Sequence, residues 1–172
     1  NSVILLDNNL NELTNRIDLT KETRFNNVQF VSGSSENDLW IFSDDTKLYL
    51  YDYKKHSLKV ETQPMNFYHD GFNPNLIKST YKNVWLLSKK GILKFNEYGN
   101  FIQFYSIDNV SNIFPLRKNF IYYKDNSLYY LENTKTFLIN LEYNKLIINI
   151  HIYNNSIHIF DGKEIYQYRI NY

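Results

Sequence analysis

An all-β fold made of repeated four-stranded antiparallel sheets is what this 172-residue sequence predicts. Three observations carry the prediction. The composition suits strands and not helices, one pattern of apolar runs returns every 36 to 45 residues, and the segments between runs have the residues of tight turns.

The composition comes first. The chain has 25 Asn, 16 Tyr, 12 Phe and no Ala, and aromatics make up 17% of it. Ala is the best helix former, whereas Tyr, Phe and Ile fit a pleated, half-buried surface. The length allows one domain with a sizeable core.

The repeat sets the architecture. A run that closes on a polar residue occurs five times: "VILLD" at Asp7, "LYLYD" at Asp52, "ILKFN" at Asn96, "LYYLE" at Glu132 and "IYQYR" at Arg169. A second run precedes it in step, "DLWIF", "NVWLL", "NFIYY" and "SIHIF", and a third precedes that, "NVQFV", "NLIKS", "NIFPL" and "LIINIHI". A fourth run follows the closing residue, as in "LTNRIDL", "LKVET", "FIQFYSI" and "TFLINLEY". Four strands in about 40 residues is the period of a propeller blade. The intervening "SDDT", "KKG", "EYGN", "KDNS" and "FDGK" supply residues that tolerate left-handed backbone or build side-chain turns. A twisted β-sandwich is the structural alternative.

Apolar patterning agrees. In "LWIFS" and "VWLLS" both strand phases are apolar, so both faces should be buried, as in stacked blades. The fourth run alternates, with Arg16, Asp18, Lys59 and Glu61 between apolar neighbours, as an outer strand should. The predicted units are a half-blade at 1–25, blades at 26–69, 70–110 and 111–144, and a final unit of about three strands at 145–172. The chain begins at Asn1 and not Met, so a further N-terminal part is expected; with about four and a half blades here, one or two more are expected upstream, in a ring of six to seven.

Several function classes are disfavoured. The 19 Lys and Arg against 18 Asp and Glu leave no net field to attract nucleic acid or an anionic membrane. The lack of Cys excludes disulfides, thiolate nucleophiles and thiolate-metal sites within these residues. No apolar run approaches the roughly 18 residues that would span a bilayer.

The quoted repeat "NVWLLSKKGILKFNEYGNF" resembles that of periplasmic sensor propellers in bacterial two-component regulators, through Trp85, Gly91, Ile92, Phe95 and Asn96. The second unit keeps Trp40, Leu48, Tyr51 and Asp52 but has Lys47 in place of the Gly. The whole chain, from "LLDNNLNEL" to "YQYRI", resembles small exported, lipoprotein-like propellers of Flavobacteria and related Bacteroidota. That resemblance implies export to the periplasm or cell surface, with any lipid anchor carried upstream of Asn1.

Chemistry-bearing residues are sparse. Asp7, Asn9 and Asn11, with Asp18 beyond, imitate part of a calcium loop, but Glu12 stands where the sharp turn needs Gly. A plain turn is the expectation, and no metal or cofactor is expected. His56 falls in a hairpin turn, His151 on an inner strand, and His158 in the slot of Trp40 and Trp85, which predicts a core or inter-blade imidazole with one hydrogen bond. "SGSSEND" is not a nucleophile elbow and reads as a turn. Asp44 and Asp45 share a hairpin, and a glycosidase would need two carboxylates converging on one cleft. The remaining cluster is "FYHDGFNPN", the longest connection between units. Connections that depart from a repeat are where such proteins place binding surfaces. A longer linker pinned by Phe67, Tyr68, Phe72 and Pro74 is the plainer reading; on the functional one, His69, Asp70, Phe72 and Asn73 are the predicted partner-contact residues. The expected function is a non-catalytic interaction or scaffold subunit whose partner is another envelope or outer-membrane protein. A propeller sensing a carbohydrate or peptide is the alternative, and a propeller lyase or glycosidase is a third.

Overall fold

The computed structural model describes residues 2–7, 9–21, 27–34, 37–116, 119–141, 143, 147–153 and 156–170. They form two compact units, residues 1–108 and 109–172. Every named element is a strand, apart from 3-10 turns at Leu19–Lys21 and Met65–Phe67.

In the first unit, β1 (Ser2–Val3) and β2 (Ile17–Asp18) form a short ribbon. The sheet β3–β6 follows, with strands Val28–Gly33, Asp38–Ser43, Leu48–Asp52 and Ser57–Glu61. Then comes β7–β10, with strands Leu76–Ser79, Asn83–Ser88, Gly91–Asn96 and Phe101–Tyr105. Both are antiparallel meanders in which each strand pairs with the next in sequence. The strand expected across "LTNRIDL" shrinks to Ile17–Asp18, because the chain turns back into a 3-10 turn at Leu19.

The two-phase apolar pattern of the middle strands has a direct structural meaning. All of β4 and β5 is buried, as are five of the six residues of β8 and of β9. One parity of the β3–β6 sheet, Trp40, Phe42, Leu48 and Leu50, packs on Ile77, Val84, Leu86, Leu93 and Phe95 of the next sheet. The other parity, Leu39, Ile41, Tyr49 and Tyr51, packs on Ile17 and Leu19. Each such side chain contributes about 1.5–3 kcal/mol by leaving water. The first strands of the two sheets also approach, through a 2.7 Å hydrogen bond between the Ser32 and Ser79 hydroxyls.

The closing polar residue of the repeat has a physical role. Asp7 Oδ1 accepts the backbone N–H groups of Asn9 and Asn11 at 2.8 and 2.9 Å. Asp52 Oδ1 accepts those of Lys54 and Lys55 at 3.1 and 3.0 Å, and Asn96 Oδ1 accepts those of Tyr98 and Asn100 at 3.0 Å each. A short side-chain oxygen here replaces the ladder acceptor that the turn has lost, which Ala could not do. Glu132 and Arg169 hold the same slot later in the chain, and the turn after Glu132 instead bends at Asn133 (φ 56°). In the hairpin that joins strands Phe120–Lys124 and Ser127–Glu132, Asp125 and Asn126 both have positive φ (49° and 57°), as a mirror-image two-residue turn requires.

The second unit contains β11–β14 (Asn112–Pro115, Phe120–Lys124, Ser127–Glu132, Lys135–Ile139) and the three-stranded β15–β17 (Asn149–Tyr153, Ser156–Phe160, Ile165–Arg169). Ile121 and Leu128 of one sheet pack on Ile150, Ile157 and Ile159 of the other. Here the expectation for His158 is corrected. Ile157 and Ile159 take the packed face, so His158 falls on the opposite one and is half-buried, directly across from His151. Tyr153 and Ile165, 63% and 71% exposed, lie on that same parity.

Candidate functional site

The connection from β6 to β7 is a built structure. Thr62 leaves the sheet buried, its hydroxyl accepting Leu48 N–H and donating to Gln63 C=O, both at 3.0 Å. Met65 is fully buried in the core shared by the two sheets, and its N–H donates to Thr46 C=O at 2.8 Å. Pro64 precedes the 3-10 turn Met65–Phe67, where its missing N–H costs no hydrogen bond. The connection ends as Asn75 N–H donates to Leu87 C=O at 2.8 Å.

Aromatic rings pin what lies between. Tyr68 meets Phe95 edge-on at 5.0 Å and Phe101 at 5.3 Å, and Phe67 meets Tyr68 edge-on at 5.4 Å. His69 lies over Phe104 with ring centroids 4.1 Å apart. Lys90 Nζ donates to Asp70 C=O at 2.9 Å, tying the loop to the β8–β9 turn. Such aromatic pairs are each worth about 0.5–1.5 kcal/mol beyond their burial.

The four sequence-predicted contact residues therefore separate. Asp70 and Asn73 are exposed and His69 is half-buried. Phe72 is 2% exposed and belongs to the core beside Trp40 and Leu86, so its side chain faces inward and supports the loop from beneath. The surface hydrophobe of the loop is Phe67, at 75% exposure. It continues through Tyr68 to Phe101, which is 40% exposed, while Ile102 and Tyr98 of the β9–β10 hairpin are 50% and 69% exposed. Sequence reasoning missed this patch. Its signal was "FI" in an outer strand, two adjacent apolar residues where one must face solvent.

The other candidates resolve into local structure. Asp7, Asn9 and Asn11 form the turn described above, with Asn11 Nδ2 donating to Asp7 Oδ2 at 3.0 Å. Those bonds, the Asn11 side chain first, hold the Asp7 carboxyl below its ordinary range. Asp18 is likewise lowered, chiefly by the Thr20 hydroxyl. Among the described residues, no group of three His, Asp or Glu is gathered as a metal ion would need. Asp45 accepts the Tyr49 phenol, and burial together with that bond pushes the Tyr49 pKa up. Asp44 is exposed and Asp45 half-buried. His56 is exposed, with Nδ1 3.1 Å from the buried Tyr51 hydroxyl. In "SGSSEND", Ser34 N–H donates to Asp38 C=O at 2.9 Å, while Ser35 and Glu36 lie outside the described residues.

No protein-family model and no curated protein matches the chain. Solved structures do. PorZ, described as an essential bacterial surface component of the type-IX secretion system of Porphyromonas gingivalis, aligns with TM-score 0.67 and 11% identity over 98% of this chain. BamB of Moraxella catarrhalis aligns with TM-score 0.54 and 12% identity over 81%, and Hsv2p of Kluyveromyces lactis with 0.57 and 11% over 86%. The aligned regions span 24%, 41% and 47% of those three chains. At such identities the likeness shows the fold: an all-β propeller of four-stranded antiparallel blades.

Proposed function

We propose that this chain is part of a non-catalytic β-propeller that docks another protein, as a scaffold subunit of a bacterial envelope assembly. One observation carries the reading: an exposed aromatic surface, Phe67 to Phe101, stands on a loop fixed from below by Met65, Phe72 and Phe104. Aromatic side chains are enriched in the cores of protein interfaces, and a pinned loop loses little freedom on binding. His69, Asp70 and Asn73 lie along the same connection and supply the polar rim, with Phe72 beneath them. The likeness to PorZ, a bacterial surface component by its description, supports the choice of compartment.

The test is to isolate the full-length protein from its native envelope in mild detergent and resolve it by size. The reading expects a complex with a second protein in fixed stoichiometry, abolished by Phe67→Glu and retained in Tyr81→Glu. Tyr81 is comparably exposed, at 68%, in the β7–β8 turn. A wild-type protein that runs alone, or a complex that survives Phe67→Glu, would overturn it.

A further inference from the structure

Thr14 carries a buried hydroxyl with no hydrogen-bond partner among the described residues. Such atoms are rare in folded proteins. Thr14 lines a cavity of about 360 Å³ together with Arg16, Asp18, Lys21, Tyr53, Lys54 and His56.

The charge of this cavity is unlike that of the chain. Arg16, Lys21 and Lys54 bring three positive charges against the one negative charge of Asp18, a local surplus of two, whereas the whole sequence nets +1. The ion pairs among the described residues join Lys47 to Glu61, and Lys59 to Asp38 and Asp52. None of them involves the three cavity cations. Asp18 is already engaged, its Oδ1 accepting both the N–H and the hydroxyl of Thr20.

The cations sit on anchored backbone. Ile17 and Leu19 are buried against Leu39, Ile41, Tyr49 and Tyr51, which fixes the segment that carries Arg16 and Lys21. Asp52 Oδ1 holds the Lys54 N–H, which fixes the opposing turn. Tyr53 is half-buried, and its hydroxyl donates to Asn37 Oδ1 at 3.4 Å, steadying a flat apolar wall beside the charges.

We propose that this cavity binds a phosphorylated sugar, the phosphomonoester held by Arg16, Lys21 and Lys54 and the sugar ring laid against Tyr53. A guanidinium fork with two ammonium groups matches the oxygens of a phosphomonoester, and charge-assisted hydrogen bonds of this kind are about twice as strong as neutral ones. The volume lies at the small end of ligand cavities and suits one sugar unit. The ligand is either free in solution or the sugar-phosphate head group of a lipid, and its recognition is independent of the docking surface at Phe67.

The experiment is a titration at low ionic strength with glucose 6-phosphate, glucose and inorganic phosphate, read by calorimetry. Sedimentation with phosphatidylcholine vesicles, with and without monophosphoryl lipid A, runs in parallel. Glucose 6-phosphate is expected to bind and glucose not, with affinity falling as salt screens the charges. Arg16→Gln and Lys54→Gln should each weaken binding by about tenfold. Lys89→Gln, outside the cavity, should change nothing. Binding to vesicles only when the glycolipid is present would place the sugar phosphate on a lipid; binding in solution alone would make it a free metabolite. Either result supports the shared chemistry. A wild-type protein that binds neither glucose 6-phosphate nor the glycolipid vesicles overturns the proposal. So does Arg16→Gln protein that binds like the wild type.

Discussion

Phe72 and Phe67 lie five residues apart in one connection, yet the structure gives them opposite roles, and truncating each to Ala separates those roles. Phe72 is 2% exposed, in one cluster with Trp40, Leu50, Leu86 and Phe95, and edge-on to Phe104 with centroids 6.5 Å apart. Phe72→Ala removes a buried ring and opens a cavity between two blades whose strand backbones cannot collapse into it. Such changes cost about 3–5 kcal/mol. That is a large part of the 5–15 kcal/mol total typical of a folded domain. A shift on the order of 10 °C in thermal midpoint should accompany it. Phe67, at 75% exposure, buries little and gives up chiefly its edge-on contact with Tyr68, so Phe67→Ala should cost no more than about 1 kcal/mol. Urea denaturation followed by tryptophan fluorescence is the assay, because Trp40 and Trp85 are both buried in the unit that holds the loop. A Phe72→Ala protein that loses less than about 1 kcal/mol would refute the placement of this ring in the shared core.

Three further substitutions test other parts of the account. Gly91 has φ +143°, and an added Cβ would lie 2.3 Å from Tyr105 C=O, so Gly91→Ala should destabilise by roughly 2–4 kcal/mol in the same assay. Asp52 has its carboxyl pKa lowered, first by the Lys55 N–H and then by Lys54 N–H and the Lys59 charge, against an opposing desolvation. The stability it adds is present above the ordinary carboxylate pKa and is lost as pH falls through the lowered folded value. Asp52→Asn keeps the acceptor and should flatten that acid limb in a series of melts, whereas Asp52→Ala should lower the midpoint at neutral pH as well. Lys94 is 9% exposed beside the Trp85 ring, and burial pushes its pKa down. Its cost is present at neutral pH and is relieved as pH rises from the depressed folded value toward the ordinary lysine value. Lys94→Met keeps the stem and removes the titrating group, so it should flatten that alkaline dependence in the same series of melts.

The parts of this fold legible in sequence were those fixed by local physics. A short run apolar in both phases and bounded by turn residues reads as a strand covered on both sides, and "LWIFS" and "VWLLS" are that. Asp and Asn at the ends of runs announced turns, and the structure shows the side-chain hydrogen bonds that make them. What stayed hidden depends on neighbours distant in sequence. Phe67 and Phe72 are the same residue in the same loop, and only the packing of Met65 and Phe104 decides which turns inward. The Trp-slot analogy misplaced His158 because equal strand position does not guarantee an equal neighbour on each face. The basic cavity escaped notice because Arg16 and Lys54 are 38 residues apart and meet only through the fold.

The most direct test of the docking reading is a photo-activatable phenylalanine at position 67, irradiated in the native envelope, with position 81 as the comparison. The account predicts one discrete cross-linked species from position 67, of a single reproducible mass, and none from position 81. No adduct from position 67, or the same adducts from both positions, would contradict it.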